Sequence, residues 1–261
     1  MGIEVTKIAD NLYEFNEGMD YGDGVIRPYV DSYLYIGKER AAVVDTLQNL
    51  TGLYELVRTI TDLPIDVLIT HGHLDHAGLA TGEFADAGCK IYMDMRDIDI
   101  LKGMVPSTKA EWFTDIKGGE TFDLGGIVLE AISCPGHTPG SMVFVDREHQ
   151  VLLSGDTLGS GALWMQIRGA LPIGQYQKNV AAVYEQLKDL PDLLIYPGHR
   201  NQSPVQLTAR YVKDVKDICD GIMDGSITGE YTELTAHGME MKFYSVTYGQ
   251  MQSFCYDPNN K

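Results

Sequence analysis

Strand-like patterns of hydrophobic and polar residues dominate the N-terminal part of the chain. Residues 3–46 contain the alternating stretch IEVTKIADNLYEF and the apolar stretches SYLYIG and AAVVDT, which predict β-strands interrupted by the turn-rich GMDYGDG. NLTGLYELVRTIT then has helical spacing, IDVLIT is a short apolar strand, and HAGLATGEFADAG is predicted to begin a helix that ends near Gly88. The strand CKIYM follows, and a helical or irregular stretch extends to about residue 118.

The second half of the chain continues this mixture of strands and helices. IVLEAISC, SMVFVD, QVLLSGD and DLLIYPG are predicted strands, and QYQKNVAAVYEQLKDL is a predicted amphipathic helix. PVQLTARYVKDVKDICDGIMDG predicts a long helix that ends at Gly225, and the sequence from residue 240 is strand-like again. The pattern predicts two β-sheets packed face to face with helices outside. We expect a single domain over residues 1–261, with the helix and strands from about residue 203 as its extension.

The composition of the chain limits the partners and the cellular location that we expect. The chain has 37 acidic and 20 basic side chains and a formal net charge of −17, which repels nucleic acid and anionic membranes, so we expect neither as a partner. No apolar run is long enough to span a membrane, and the N-terminal sequence lacks the apolar core of a signal peptide. The four cysteines are scattered, which is typical of reduced thiols. These features predict a cytoplasmic protein.

Three histidines and one aspartate lie within the six residues HGHLDH, directly after the apolar run IDVLIT. Neutral imidazoles and carboxylates are the ligands that zinc accepts, and a catalytic ion keeps one position open for water. A short loop leaving a strand end can direct His71 and His73 to one ion, while Asp75 and His76 face a neighbouring point. The structural alternative is a polar helix start that is capped by Asp75.

Three further candidate ligands share one context, the end of an apolar strand. His137 follows IVLEAISC in CPGHTPG, Asp156 follows VLLSG, and His199 follows DLLIY in PGH. The glycine or proline beside each residue permits the tight turn that a ligand needs. Taken singly, each is better explained as a surface or structural residue, or as part of a turn or helix cap. Taken together, they give five of the seven histidines one shared explanation, and we expect the other two, His149 and His237, to be surface or hydrogen-bonding residues.

This ordered set of residues resembles the metallo-β-lactamase fold superfamily, and within it the glyoxalase-II and lactonase-like branch. The resemblance covers about residues 3–200 and implies an α/β fold, a four-layer αββα sandwich of two mixed β-sheets with outer helices. Asp45, which ends AAVVDT, matches the strand-end acid of the family, and we expect it to be a structural hydrogen-bond partner. The resemblance also implies two divalent metal ions and seven ligands: His71, His73 and His137 on the first ion, Asp75, His76 and His199 on the second, and Asp156 between them.

The resemblance implies an enzyme, a hydrolase in which a metal-bridging hydroxide attacks a small carboxylic ester, lactone or thioester. Zinc is the favoured metal, with iron and manganese as alternatives. Asp75 is the expected catalytic residue, because it would orient the nucleophile and pass on its proton. One alternative is a mononuclear iron sulfur dioxygenase of the same superfamily, with iron held by His71, His137 and Asp156. Another is a phosphodiesterase or ribonuclease, which the negative net charge disfavours.

The two tryptophans indicate where a substrate would bind. Trp112 and Trp164 lie in segments between the metal motifs, and loops that flank a strand-end site commonly supply its walls. We therefore expect a partly apolar small-molecule substrate, with both tryptophans as candidate contacts. Core packing or a dimer contact is the alternative for each, so a homo-oligomer is left open. The loop Met19–Gly24 is a further segment that can approach the metals.

Overall fold

The computed structural model describes residues 2–159, 162–236 and 239–261, so His237 lies outside the described residues. Its first sheet has seven strands, arranged in space in their order along the chain. These strands, β1 to β7, comprise Ile3–Ala9, Leu12–Asp20, Ile26–Ile36, Ala41–Val44, Ile65–Leu68, Lys90–Met93 and Phe113–Asp115. The pairings from β1 to β4 are antiparallel and those from β4 to β7 are parallel. The strands predicted over residues 3–46 are confirmed, whereas β7 lies in the stretch predicted as helical or irregular.

The second sheet has six strands and is also mixed. They are β8 (Thr121–Asp123), β9 (Val128–Ser133), β10 (Met142–Asp146), β11 (Val151–Gly155), β13 (Leu194–Pro197) and β14 (Leu207–Thr208). Their order in space is β14, β13, β11, β10, β9 and β8. Strands β11 and β13 are parallel, and the other pairings of this sheet are antiparallel. The four strands predicted in the second half of the chain are therefore confirmed.

Five α-helices in the described residues accompany these sheets. They are α1 to α5, with the bounds Leu53–Arg58, Ala80–Asp86, Ile98–Met104, Ile173–Leu187 and Ala209–Asp224. Short 3-10 helices cover Met95–Asp97, Ala110–Trp112 and Arg200–Gln202. Helix α4 is amphipathic as predicted, with Val180, Val183 and Leu187 buried. None of the helices in the described part of the chain is long and apolar enough to cross a membrane.

Two helices begin later than the sequence pattern predicts. Helix α2 begins at Ala80 rather than at His76, because the intervening residues form turns. Helix α5 begins at Ala209 rather than near residue 204, because the residues just before it pair with β13 as strand β14. Gly225 ends α5 in the left-handed conformation at φ 81°, as predicted, since glycine adopts this conformation without strain.

Three clusters of buried apolar side chains define how the layers are stacked. One cluster lies between the two large sheets and contains Tyr35 of the first and Phe144 of the second. Another joins α1, α2 and α3 to the first sheet and contains Phe84. The third joins α4 and α5 to the second sheet and contains Val183 and Ile218. The layers are therefore helices, sheet, sheet and helices, which confirms the predicted αββα sandwich.

A third, four-stranded sheet adds to the two that the sequence predicts. It contains β12 (Ala162–Trp164), β15 (Glu230–Ala236), β16 (Met239–Tyr248) and β17 (Met251–Tyr256), in the spatial order β12, β17, β16 and β15. One face of it packs on the second helical layer, where Phe254 stacks on Tyr176 with ring centroids 6.4 Å apart. Strand β12 pairs in parallel with β17, which is distant in sequence, so no local pattern predicts this pairing.

Candidate metal centre

Four loops that follow strand ends converge where the two large sheets meet. They follow β5, β9, β11 and β13, and they carry the seven residues predicted as metal ligands. The structure brings all seven residues together. Their ligand atoms form three groups, in each of which the atoms lie within 4.8 Å of one another: His71, His73 and His137; His71, His76 and Asp156; and Asp75, His76 and His199.

The first cluster, defined as His71, His73 and His137, consists of three imidazoles. Nδ1 of His73 lies 3.0 Å from Nε2 of His71 and 3.0 Å from Nε2 of His137. A zinc ion bound tetrahedrally by nitrogens at about 2.0–2.1 Å would hold them about 3.3 Å apart. The three nitrogens therefore stand close to the spacing that one such ion requires.

The hydrogen bonds around the first cluster show where its protons lie. The hydroxyl of Thr70 donates to Asp45, so it accepts the hydrogen bond from Nδ1 of His71 at 3.0 Å. The backbone carbonyl of Trp164 accepts from Nδ1 of His137 at 2.8 Å. The Nε2 atoms of His71 and His137 therefore carry lone pairs, and both face Nδ1 of His73. That nitrogen can donate to only one of them, whereas a cation between the three satisfies every lone pair.

Burial keeps the first cluster uncharged. It holds the pKa of His71 well below its usual value and lowers the pKa of His73 to about 3. It also lowers the pKa of His137. Neutral imidazole is the form that binds a metal ion, so these side chains can accept a cation without first losing a proton.

The second cluster, defined as Asp75, His76 and His199, combines two imidazoles with a carboxylate. Oδ2 of Asp75 lies 3.3 Å from Nε2 of His199 and 3.9 Å from Nε2 of His76. Oδ1 of Asp156 is 3.3 Å from Nε2 of His76. Its Oδ2 is 3.4 Å from Nε2 of His199 and 3.7 Å from Nε2 of His137 in the first cluster. Asp156 therefore occupies the position that a bridging ligand needs.

The second cluster differs from the first in charge. Burial lowers the pKa of His76, but the charges of Asp156 and Asp75 raise it, and the result is a pKa of about 10. Burial raises the pKa of Asp156, but the charges of His199 and His76 hold it well below its usual value. The carboxylates create a negative potential that a protonated imidazole, or a divalent cation in its place, compensates.

Two atoms of this region show that the residues fit a metal ion. Nε2 of His76 and Oδ1 of Asp156 are buried and, although they lie 3.3 Å apart, neither makes a hydrogen bond with the described residues. Gly198 leaves the space beside them open, because a Cβ atom there would overlap Cε1 of His76 and lie 2.6 Å from Oδ1 of Asp156. Buried polar atoms without partners are costly, and a cation would satisfy both. The donor set therefore fits divalent metal ions.

Asp97, a residue that the sequence pattern does not distinguish, ties the loops of the first cluster together. Its buried carboxylate accepts hydrogen bonds from the amides of Gly72 and Gly140 at 2.9 and 2.7 Å. It also accepts from the hydroxyl of Thr138 at 2.5 Å. Gly72 lies between two ligand histidines, and the other two partners follow His137, so one carboxylate fixes both loops. No local signal reveals this role, because every partner is 25 or more residues away.

Strand β3 binds the loop that carries His199, which is a second feature that the sequence does not predict. The amide of Asp31 donates to the carbonyl of Gly198 at 2.8 Å, and its carboxylate accepts from the amide of Arg200 at 2.8 Å. Nδ1 of His199 donates to the carbonyl of Tyr29 at 2.6 Å. These hydrogen bonds span about 170 residues of sequence and join the first sheet to the second.

Two residues predicted to lie outside the ligand set have the expected contacts. Asp45 accepts hydrogen bonds from the amide and the hydroxyl of Thr70 and from Nδ1 of His76, each at 2.8 Å. It therefore orients a ligand as a structural partner. His149 is 43% exposed and is hydrogen-bonded to Asp146 at 2.7 Å, which agrees with a surface role.

The two tryptophans occupy different parts of the fold. The backbone carbonyl of Trp164 is hydrogen-bonded to His137, and its ring lies 5.9 Å from that of Phe243. Trp112 is partly buried with the outer helical layer, where a Cβ atom on Gly82 of α2 would lie 3.4 Å from its ring. Trp164 is thus linked to the first cluster through its backbone carbonyl. The contacts of Trp112, in contrast, are with the outer helices.

Comparison with known proteins decides the family. The sequence model of the metallo-beta-lactamase superfamily matches residues 26–199, a segment that contains both clusters and Asp156. The chain belongs to the metallo-beta-lactamase superfamily. Three strands of the third sheet, β15, β16 and β17, lie beyond the matched residues.

Several relatives in the metallo-beta-lactamase superfamily are named as hydrolases. Hydroxyacylglutathione hydrolase GloC of Haemophilus influenzae is 28% identical over 189 residues, which cover 67% of this chain and 86% of that protein. The probable polyketide biosynthesis zinc-dependent hydrolase BaeB of Bacillus velezensis is 26% identical over 202 residues, or 73% of this chain and 80% of that protein. The probable metallo-hydrolase YqgX of Bacillus subtilis is 22% identical over 187 residues, with coverages of 67% and 87%. The chain is thus similar to metal-dependent hydrolases.

Solved structures of metallo-beta-lactamases share the fold. The metallo-beta-lactamase from Pontibacter korlensis has a TM-score of 0.66 at 18% identity and covers 84% of this chain and 99% of its own. FIM-1 from Pseudomonas aeruginosa, in its mono-zinc form, has a TM-score of 0.67 at 17% identity, with coverages of 87% and 97%. These structural similarities confirm the αββα fold that was predicted for this chain.

Proposed function

We propose that this protein is a binuclear metal-dependent hydrolase that cleaves a small carboxylic ester, lactone or thioester. The observation that carries the proposal is the position of Asp156 between the two clusters. Its oxygens lie 3.3 Å from Nε2 of His76 and 3.7 Å from Nε2 of His137. A carboxylate in that position can be shared by two cations, one held by each cluster.

Zinc, iron and manganese all accept mixed histidine and carboxylate ligands, so the ligand set is compatible with each of them. We favour zinc and keep iron and manganese as alternatives. Similarity to a relative named as a zinc-dependent hydrolase supports this choice. Two divalent cations bound here would supply a nucleophile from water at neutral pH and polarise a carbonyl oxygen. This chemistry needs no side-chain nucleophile.

We assign proton handling to Asp75. Its side chain is 17% exposed, whereas those of His76 and His199 are 0% and 6% exposed, so Asp75 lies on the open side of the second cluster. A carboxylate at the open side can orient the attacking water, take up its proton and later deliver that proton to the leaving group.

The substrate class follows from the charge of the chain and from its relatives. A net charge of −17 disfavours polyanionic substrates such as RNA, and with them the phosphodiesterase and ribonuclease alternatives. Similarity to a relative named as a hydroxyacylglutathione hydrolase supports an acyl substrate. We propose Trp164 as an apolar wall beside the first cluster, because its backbone contacts His137. Trp112 stays a prediction as a substrate contact.

The alternative of a sulfur dioxygenase accounts for less of the site. It would use one iron and the residues His71, His137 and Asp156. The second cluster would then be a complete group of three donors within 4.8 Å of one another without a role. The binuclear hydrolase gives every member of both clusters a function, and we therefore prefer it.

Assays of the zinc-loaded protein test the proposal. Matched esters, lactones, thioesters and phosphodiesters would be compared by kcat/KM, with Asp156→Ala as the inactive control. We expect the carbonyl substrates to be preferred by more than about 100-fold, equivalent to about 2.7 kcal/mol of transition-state stabilisation. A preference for a phosphodiester would refute the carbonyl substrate. One iron per chain together with oxygen consumption would refute the hydrolase.

A further inference from the structure

Tyr29 contacts the second cluster through both its side chain and its backbone. Its hydroxyl donates a hydrogen bond to Oδ2 of Asp75 at 3.0 Å. Its backbone carbonyl accepts from Nδ1 of His199 at 2.6 Å. The rings of Tyr29 and His199 are also in contact, with centroids 4.9 Å apart and planes tilted by 59°. One residue therefore restrains two of the three members of this cluster.

A β-bulge places Tyr29 at this point. In the pairing of β2 with β3, Glu17 is opposite Val30 and Gly18 is opposite Pro28, so Tyr29 is the extra residue between two paired positions. A bulge leaves its extra residue out of the ladder and redirects its side chain, and bulges are frequent beside active sites. The carbonyl of Tyr29 is thus available to His199 rather than to the neighbouring strand.

The other ligand imidazoles that are fixed from outside the clusters each have a separate partner. Nδ1 of His76 is held by Asp45, and Nδ1 of His137 by the carbonyl of Trp164. Such outer partners fix the orientation of a ring and leave its other nitrogen for the metal. The carbonyl of Tyr29 does this for His199. Its hydroxyl adds a restraint on Asp75, whose side chain is 17% exposed and is therefore less confined by packing than the buried ligands.

We propose that Tyr29 is a positioning residue for the second cation site. Its hydroxyl holds Asp75, and its carbonyl holds His199, in the orientation that binds the cation. The inference rests on the proposed binuclear function and extends it to a residue that supplies no ligand atom. Removing an outer partner of this kind typically weakens metal affinity or activity by about 10–100-fold.

The test is a zinc titration of the metal-free full-length protein in competition with a chromophoric chelator, which yields two dissociation constants. Tyr29→Phe removes the hydroxyl and keeps the ring and the carbonyl. We expect its second dissociation constant to rise by about 10-fold or more, while the first stays at the wild-type value. Excess zinc should then restore kcat. Tyr21→Phe is the matched control, since Tyr21 is 53% exposed and its ring lies 6.4 Å from that of Tyr29.

The outcomes separate this inference from the proposed function. If the wild-type protein binds two zinc ions and Tyr29→Phe binds both with unchanged affinity, the positioning role of Tyr29 is wrong. An equal weakening of both sites, together with a lower midpoint of urea unfolding, would show that the hydroxyl only stabilises the fold. If the wild-type protein itself binds a single ion, the binuclear function fails, whatever the variant does.

Discussion

The two clusters of the metal centre differ in charge and in how the fold holds them. The first cluster is three imidazoles that burial keeps neutral, and Asp97 ties its loops together. The second contains Asp75 and faces both oxygens of Asp156, and these charges raise the pKa of His199 well above its usual value despite burial. The first cluster itself thus offers a cation only nitrogen lone pairs, whereas the second also offers the negative charge of Asp75, and Asp156 adds its charge to both.

This difference means that single substitutions should separate the two sites. The hydrogen bonds of Asp97 lead to the loops of His71–His76 and His137, whereas strand β3 binds the loop of His199. Asp156, which belongs to neither cluster, contacts both of them. A substitution at Asp156 should therefore affect the whole centre, and substitutions elsewhere should affect one cluster more than the other.

The largest effect is expected for Asp156→Ala. It removes a carboxylate that contacts both clusters, so we expect loss of the second cation and a fall in kcat/KM of more than about 100-fold, beyond the effect of losing an outer partner. Metal analysis and the acyl-substrate assay measure these changes. The far-UV circular dichroism should stay that of a folded protein, because the apolar cores do not involve the metals. Loss of that signal would mean that the metals are structural.

Gly198→Ala should act on the second cluster. Its Cβ atom would overlap the ring of His76 and approach Oδ1 of Asp156 to 2.6 Å, so one of them must move. We expect the second dissociation constant for zinc to rise by about 10–100-fold and the first to change little. Gly103→Ala in α3 is the control, because its Cβ atom would meet nothing within 4 Å. If Gly198→Ala and Gly103→Ala bound the second zinc ion with equal affinity, the assignment of His76 as a ligand of that ion would be wrong.

Asp97→Asn should act on the first cluster. The amide keeps one acceptor oxygen but turns an NH₂ group toward donors that the carboxylate now accepts, namely the amides of Gly72 and Gly140 and the hydroxyl of Thr138. We expect the first dissociation constant to rise by about 10-fold. The free energy of unfolding in urea should fall by about 1–3 kcal/mol. If only the second dissociation constant for zinc rose, Asp97 would support the second cluster and not the first, contrary to this account.

The smallest of these effects is expected for the fold when both metals are removed. We expect the chelated protein to keep its far-UV circular dichroism, because three apolar clusters stabilise the layers independently of the ligands. Its melting temperature should be lower than that of the zinc-loaded protein, since a ligand bound only to the native state stabilises it. A chelated protein that is unfolded at room temperature would contradict this account.

The parts of the molecule that could be predicted from the sequence are those with local signals. The seven ligand residues stand at the ends of apolar strands, beside glycine or proline, and the structure brings them together. Short apolar runs and one alternating stretch likewise indicated most strands of the two large sheets. Asp97 and Tyr29 could not be found in this way, because their partners in the site are 25 to 170 residues away. The bulge at Tyr29 depends on the register between two strands, which the hydrophobic pattern does not specify.

The third sheet escaped prediction for a similar reason. Strand β12 comprises three of the described residues, and it pairs in parallel with β17, which lies near residue 256. The sequence did reveal that the C-terminal residues form strands, but not which strand they would pair with. Pairing over such a distance is decided by tertiary packing rather than by local propensity.

The most direct test of the central claim is a titration of the metal-free protein with zinc, in which hydrolysis of a carbonyl substrate is measured after each addition. If Asp156 joins two catalytic cations, activity should rise until two equivalents of zinc are bound per chain, and Asp156→Ala should remain inactive throughout. Full activity at one equivalent, with no further change at the second, would contradict the binuclear account.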